Sequence, residues 1–480
     1  MRLFSTMMAV LLCLLAPDLV SAQDDQQKTR KNVLLIIVDD MGLDMECYGN
    51  KAIKVPNLDK LAKNGIVFTQ AYSTVASCSA SRASILTGLY THQNGQFGHA
   101  HGNHSQTVHP WVKSLPFLLN RLGYLTGLIG KFHVAPPESF PFHTNTGKGT
   151  KGNRDPIGMN KLARTFIREA NEKNKPFFLM YSTSDPHRSR KGFGNDPFRD
   201  DPKEMKYDPK DVKVPYYLPD QPEVRQELAE YYQACSRLDR GVGILMEILR
   251  QTGHLEDTMV ILISDNGIPF PGAKTTLYEP GVHLPLIVSA PGHKKGHKNN
   301  AMVSYVDLCP TILDWCGGKA SMYKVGKRKM ELPGRSFLPI LDQTNPKGWD
   351  RVYGSHQFHE ITMYYPMRFI RTRKYKLLVN FGHKLDYPFA SDLWASPTWQ
   401  GILKRGDKMM GEKSIDAYLH RPKYELYDMV NDPKELKNVA NDPKYTSVRA
   451  ELAAELRRWQ QQTNDEWRIL YREEKRISKK

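Results

Sequence analysis

The feature that most constrains the fold is a run of six apolar residues, Val33-Leu34-Leu35-Ile36-Ile37-Val38, that stops abruptly at Asp39-Asp40. A strand with one face in water alternates apolar and polar residues. An unbroken, β-branched run belongs instead to a strand covered on both faces, as at the centre of a parallel sheet. Similar short runs recur at 125–129, 177–181, 259–263 and 286–289, with amphipathic stretches such as 113–122 and 226–250 between them. In the second stretch Leu238, Val242, Leu245 and Leu249 fall at helical spacing. This alternation fills about three-quarters of the chain and predicts an α/β fold: a large mixed, mainly parallel sheet flanked by helices.

Beyond about residue 365 the texture changes. Residues 375–379 and 425–428 read as strands, Asp432-Pro433-Lys434-Glu435 as a turn entering a helix, and a final helix carries Val448, Leu452, Leu456 and Trp459 on one stripe. A chain of 480 residues more often forms two domains than one. The division read here is a signal peptide at 1–22, a main domain at 23–365, and a smaller C-terminal α+β domain with an antiparallel sheet at 366–480.

The signal reading rests on Met1-Arg2, the apolar run at 3–16 and Val20-Ser21-Ala22. That run is too short and too close to the start for a spanning helix, and no later stretch is apolar enough to cross a bilayer. The expected protein is exported and without a membrane span: periplasmic or secreted in a bacterium, lysosomal in an animal. Removal of Cys13 leaves Cys47, Cys78, Cys235, Cys309 and Cys316, an odd set in which at least one thiol has no internal partner. Cys78 is the candidate; Cys309 and Cys316, in a helix-like apolar stretch, are expected to stay reduced. The net charge of +17 favours polyanionic partners. No helix-turn-helix, zinc-finger or aromatic RNA-binding pattern accompanies it, so nucleic acid is not expected. Sulfated polysaccharide is the polyanion an exported protein meets, although the same surplus can sit in solvated loops such as His293-Lys294-Lys295-Gly296-His297-Lys298.

Two buried strands end alike, one in Asp39-Asp40 and the other in Ser264-Asp265-Asn266-Gly267. Ligands of open parallel sheets bind beyond the carboxyl ends of the strands, so both acidic pairs should face one crevice. Three carboxylates and an amide oxygen form a hard set suited to Ca²⁺ or Mg²⁺. Acids also cap turns there, but two matching pairs favour a metal. Two further strands end in bases, Lys131-Phe132-His133 and Asp185-Pro186-His187-Arg188. Cys78 opens a helix-like segment whose first N–H groups and dipole favour an anion; the plainer reading is a buried, inert thiol. Cleavage of an anion needs cations around its oxygens and an acid for the departing atom. His99, His101, His104 and His109 read as a pocket-rim loop, because their spacing matches no standard zinc site.

The ordered set Val38-Asp39-Asp40, Cys78-x-Ala80-x-Arg82 with Leu86-Thr87-Gly88, Lys131-x-His133, Asp185-Pro186-His187 and Ser264-Asp265-Asn266-Gly267 resembles the sulfatase branch of the alkaline-phosphatase superfamily. Tyr424-Glu425-Leu426-Tyr427-Asp428, Asp432-Pro433 and Asn438 are similar to that family's C-terminal signature. Thr91-His92-Gln93-Asn94-Gly95, Ser184-Asp185-Pro186-His187-Arg188, residues 264–271, Pro310-Thr311-Ile312-Leu313-Asp314-Trp315 and Tyr365-Pro366-Met367-Arg368 narrow the resemblance to the sulfamidase, or heparan N-sulfatase, subfamily. It covers nearly all of the mature chain.

The resemblance implies an alkaline-phosphatase-like fold, with Asp39, Asp40, Asp265 and Asn266 as Ca²⁺ ligands. Cys78 joins them once a formylglycine-generating maturation enzyme has oxidised it. By the same resemblance Arg82 and Lys131 stabilise the formylglycine diol and the sulfate, His133 is the base, and His187 stands at the leaving group. Lys274 falls where the subfamily usually carries Arg, a sulfate-binding cation without the bidentate fork. His359, Glu360 and Arg368 are the expected remainder of the substrate pocket. Ala80 departs from the Pro most often found between Cys and Arg. The implied activity is Ca²⁺-dependent release of sulfate from glycosaminoglycan, foremost the N-sulfate of terminal N-sulfoglucosamine, by a homodimer. The alternatives are an O-sulfatase acting on a sulfated saccharide, a phosphodiesterase or phosphonate hydrolase of the same superfamily, and a non-catalytic heparin-binding protein.

Overall fold

The computed structural model describes residues 31–146, 149, 151–319, 324–325, 328–329 and 331–469; the signal reading at 1–22 lies outside them. The apolar run forms β1 (Asn32–Val38), buried at every position. Its side chains alternate between two cores. Val33, Leu35 and Ile37 meet Phe68, Leu86, Leu128 and Ile312 on one face, and Leu34, Ile36 and Val38 meet Phe166, Leu179, Leu238 and Leu245 on the other. With apolar partners on both sides, positions 33–38 do not tolerate a polar residue, which is why the run is unbroken. Asn32, at the strand's start, is buried with its amide bonded to Asp257 and Phe177 N.

β1 sits within an eight-stranded sheet with β2 (Ile66–Tyr72), β3 (Leu125–Gly130), β4 (Thr144–Thr146), β5 (Phe177–Ser182), β6 (Thr258–Ser264), β7 (Leu286–Ser289) and β8 (His297–Ser304). The order is β4-β3-β5-β1-β6-β7-β2-β8. The five strands from β4 to β6 run parallel, as do β2 and β8. β7 alone is antiparallel to both neighbours. Residues 265–285 leave β6 without a long crossover helix to carry the chain to the far edge, so the next strand must run back.

Helices α1 (Cys78–Thr87), α2 (Leu115–Arg121) and α5 (Leu308–Trp315) cover the first face with Leu86, Leu118 and Ile312. α3 (Gly158–Glu172) and α4 (Pro222–Gln251) cover the second with Phe166, Leu238, Val242 and Leu245. A four-stranded antiparallel sheet follows, in the order β9 (Arg351–His356), β10 (Met367–Thr372), β11 (Tyr375–Asn380), β12 (Tyr424–Asp428). α6 (Thr446–Gln462) lays Leu452, Leu456 and Trp459 on its Ile370, Leu377, Val379 and Leu426. The opposite face, with Phe369, Leu378 and Tyr427, packs on Tyr72, Leu277 and Tyr278.

Two expectations shift. β9 pairs with β10, so the second sheet draws residues from both sides of the 365/366 boundary. The turn at Asp432 enters no helix directly: the Asp432 carboxylate takes the N–H groups of Leu436 (3.1 Å) and Lys437 (2.8 Å), Glu435 adopts φ 56°, and the next α-helix is α6. Among the described residues the cysteines form no disulfide, and no helix is long and apolar enough to cross a membrane.

Candidate active site

β3, β5, β1 and β6 are adjacent and parallel, and their register brings the strand ends level. Gly130 and Ile37 both lie opposite Ser182, and Val38 lies opposite Ser264. The loops that follow therefore emerge along one edge, carrying Lys131 with His133, Asp185 with His187, Asp39 with Asp40, and Asp265 with Asn266. Gly130 is needed for this crowding: at φ +102° a Cβ would lie 2.0 Å from the Ser182 carbonyl oxygen. Its absence lets the Lys131 N–H donate to that oxygen at 2.7 Å. Asp40 takes the left-handed φ of 65°, which Asp tolerates better than most residues, and its N–H donates to Asp265 Oδ1 at 3.1 Å.

α1 delivers the thiol. Cys78 is its first residue, fully buried, with Sγ 3.7 Å from Asp40 Oδ1. Asp39, Cys78 and Asp265 each place a ligand atom within 4.8 Å of the others. One turn along α1, Arg82 donates Nε to Asp265 Oδ2 at 2.8 Å and Nη1 to the Ser182 hydroxyl, with Nη2 3.4 Å from Asp39 Oδ1. Lys131 Nζ donates to Asp39 Oδ2 at 2.6 Å. Lys274 Nζ lies 2.9 Å from Asp40 Oδ2, 2.8 Å from Asp392 Oδ2 and 3.1 Å from His187 Nε2.

The charges act on one another strongly because Asp39, Asp40, Arg82, Asp265 and Lys274 are fully buried. Burial alone would raise Asp39, but Lys131, His187 and Arg82 hold it well below the usual carboxylate range. Burial pushes Asp265 up to about 7, Asp39 and Asp40 add to the shift, and Arg82 works against it. Burial also raises the Cys78 thiol well above its ordinary value despite Lys131. The donor set fits a hard divalent cation. Asp39, Asp40, Asp265 and Asn266 are fully buried. Asn266 donates Nδ2 to Asp40 Oδ1 at 2.6 Å, yet its own Oδ1 has no hydrogen-bond partner. A buried oxygen with nothing to accept, among carboxylates, suits Ca²⁺.

The bases lie at the rim. His133, at φ 54°, has Nε2 2.8 Å from His101 Nδ1; burial and then Lys131 push it well below the ordinary imidazole value. His187 donates Nδ1–H to the Arg188 carbonyl, with Nε2 3.6 Å from Asp40 Oδ2. Burial, then Lys274, lowers its proton affinity. Asp185 is not its partner: Arg237 grips that carboxylate at 2.8 Å through two nitrogens and Arg154 at 2.6 Å. From the β9–β10 connection, His359 Nδ1 meets the Ser77 hydroxyl at 2.9 Å. Glu360 accepts from Ser391 N (3.0 Å) and Oγ (2.5 Å).

Arg368 departs from the expected pocket. It is fully buried on β10, and its guanidinium is taken up by Asp465 at 2.7 and 2.8 Å. Burial would raise Asp465, but Arg368 overrides it and holds the carboxyl at about 2. A depressed carboxyl adds stability that is present above its unfolded value and disappears as pH falls through the folded one. Asp465→Asn should therefore lose roughly 2 kcal/mol at neutral pH, and the gap from wild type in urea unfolding should close towards pH 2. Its KM should not move; a raised KM at unchanged stability would return Arg368 to the pocket.

Asp392, which closes on Lys274, escaped the sequence reading, because Ala390-Ser391-Asp392-Leu393 forms no motif and only the tertiary contact marks it. The chain matches the Sulfatase family over residues 31–318. It matches the N-sulphoglucosamine sulphohydrolase C-terminal family over 273–400 and 405–462. Human N-sulphoglucosamine sulphohydrolase is 40% identical over 464 residues, covering 91% of each chain. An ulvan-active sulfatase of Formosa agariphila is 27% identical, over 91% of this chain and 81% of that one. A solved protein in complex with its substrate D-glucosamine-2-N,6-O-disulfate superposes with TM-score 0.65 at 22% identity, over 91% of this chain and 99% of that one. A phosphonate monoester hydrolase from Silicibacter pomeroyi superposes with TM-score 0.66 at 19% identity, over 91% and 96%. The two structural likenesses establish a common fold.

Proposed function

Since this chain belongs to the sulfatase family and is a hydrolase closely related to N-sulphoglucosamine sulphohydrolase, we propose that it releases the N-linked sulfate of terminal N-sulfoglucosamine in heparan-type glycosaminoglycan. Sulfate cleavage is supported by the meeting of Cys78, three buried carboxylates and the cations of Arg82, Lys131 and Lys274 at one sheet edge, and the choice of N-linked sulfate by the 40% identity to N-sulphoglucosamine sulphohydrolase. An exported enzyme would meet such a polysaccharide, in keeping with the apolar run at 3–16.

Asp39, Asp40, Asp265 and Asn266 would hold Ca²⁺, and Cys78 would be the precursor of formylglycine. When present, the ion supplies positive charge to the sulfate oxygens and the hydrated aldehyde supplies the attacking hydroxyl. Lys131 and Lys274 neutralise and orient the rest of the sulfate. Arg82, at the base of the site, keeps Asp39 and Asp265 apart and aligned. His133, neutral by burial, accepts a proton. His187, whose Nδ1–H is taken by the Arg188 carbonyl, would donate from Nε2 to the departing nitrogen in its protonated form; burial and Lys274 lower its proton affinity, so that form is favoured by acidic pH. His359 and Glu360, held by Ser77 and Ser391, present polar groups to the sugar.

The test is sulfate release from a chain-terminal N-sulfated glucosamine against a 6-O-sulfated, N-acetylated one. The N-sulfated sugar should be preferred; preference for the other would make the protein an O-sulfatase. His187→Ala should cost ~10²–10⁴ with the sulfamate and little with an activated aryl sulfate, whose oxygen leaves unaided. Equal losses for both would remove His187 from the acid's role.

A further inference from the structure

Beside the acidic site the fold assembles a second donor set of different chemistry. His99 and His101 come from the loop after α1, and His133 comes from the loop after β3. Each offers a ring nitrogen within 4.8 Å of the other two. The ring centroids are 4.7 Å apart for His99–His101, 5.1 Å for His99–His133 and 4.8 Å for His101–His133. Nδ1 of His99 and Nδ1 of His133 are buried with no hydrogen-bond partner, and His99 is only 6% exposed. Buried ring nitrogens normally find a partner.

The surrounding contacts fix this geometry. The His99 N–H donates to the His359 carbonyl at 2.9 Å, and the His99 carbonyl accepts from Gln106 N at 3.0 Å, anchoring the loop at both ends. His104, also in this loop, is already engaged: its Nδ1 accepts from Ile361 N at 3.1 Å. Lys131 is paired with Asp39 and Lys274 with Asp40 and Asp392, which offsets part of their repulsion of a further cation. Three neutral imidazoles without a carboxylate are poor ligands for Ca²⁺ and good ones for Zn²⁺ or its d-block neighbours. His101 stands exposed, leaving a side open for water as a fourth ligand.

We propose that His99, His101 and His133 form a site for a d-block divalent cation of the Zn²⁺ class, and that the bound ion reversibly inhibits the enzyme by occupying the imidazole lone pair of His133. The inhibitory half rests on His133 acting as the base; the binding half does not. The site is distinct from the Asp39–Asp40–Asp265–Asn266 set in position and in donor type.

The experiment uses mature protein saturated with Ca²⁺, with Co²⁺ as an optical probe and Zn²⁺ followed by calorimetry. One equivalent of Co²⁺ should give visible d–d bands that Zn²⁺ abolishes by displacement. His101→Gln, on the exposed rim, should keep its circular dichroism and weaken both ions at least about tenfold, and His99→Ala should do the same where it folds. Cys78→Ala should bind like wild type. Zn²⁺ should slow sulfate release reversibly in wild type, with resistance in His101→Gln by the same factor as the lost affinity. Unchanged affinity in His101→Gln, absent Co²⁺ bands, or loss of binding in Cys78→Ala would overturn the site; the last would put the ion among Asp40, Cys78 and His187. Binding as expected with turnover untouched would overturn the inhibitory half and remove His133 as the base, leaving the sulfatase reading to the substrate assay.

Discussion

Cys78→Ala should fold normally and turn over nothing. Alanine fits the first, fully buried position of α1 and is the best helix former. Loss of a covalent nucleophile costs on the order of 10⁶ in turnover. Burial raises the proton affinity of the encoded thiol, which disfavours the thiolate. A thiol also lacks the second hydroxyl through which a hydrated aldehyde expels sulfate. Specific activity should therefore follow the fraction of protein whose Cys78 peptide is lighter than encoded and reacts with carbonyl probes, read by mass spectrometry. Full activity in protein carrying only the thiol would end the formylglycine reading.

Asp265→Ala should lose bound Ca²⁺ and at least ~10³ in turnover, since a catalytic cation supplies several kcal/mol to the charge that develops. The residue does three things at once. It would offer a carboxylate to the ion, and it holds Arg82 Nε at 2.8 Å and accepts the Asp40 N–H at 3.1 Å. Asp265→Asn keeps the shape but removes the charge and leaves one acceptor oxygen for the two donors, so bound Ca²⁺ has to be measured beside turnover; turnover lost in step with Ca²⁺ and restored at high Ca²⁺ would assign the effect to the ion. A Ca²⁺-selective chelator should slow wild type to a similar rate. Chelated protein that keeps its rate, or zinc in place of calcium among these carboxylates, would contradict the hard-ligand argument. Zinc at the histidines would not, and His101→Gln separates the two.

Much of this was legible locally. Val33 to Val38 could only be a strand covered on both faces, and each strand end announces its chemistry in the next few residues. Once the strands are parallel, their carboxyl ends share an edge, so the sequence alone brings Asp39, Asp40, Lys131, His133, His187, Asp265 and Asn266 to one side of the sheet. What the sequence could not supply were pairings between segments with no common pattern. Arg368 is cationic and lies in a family-like motif, but Asp465, 97 residues away, takes its guanidinium. Asp185 turns to Arg154 and Arg237 rather than to His187. Lys274 meets Asp392 118 positions later, and His133 completes a histidine cluster whose spacing in the chain alone spoke against a metal. Periodicity and strand-end motifs are read along the chain, and they determined the sheet and the edge where chemistry occurs. Which buried charge satisfies which depends on distances of a few ångströms across the packed interior, and only the tertiary structure decides that.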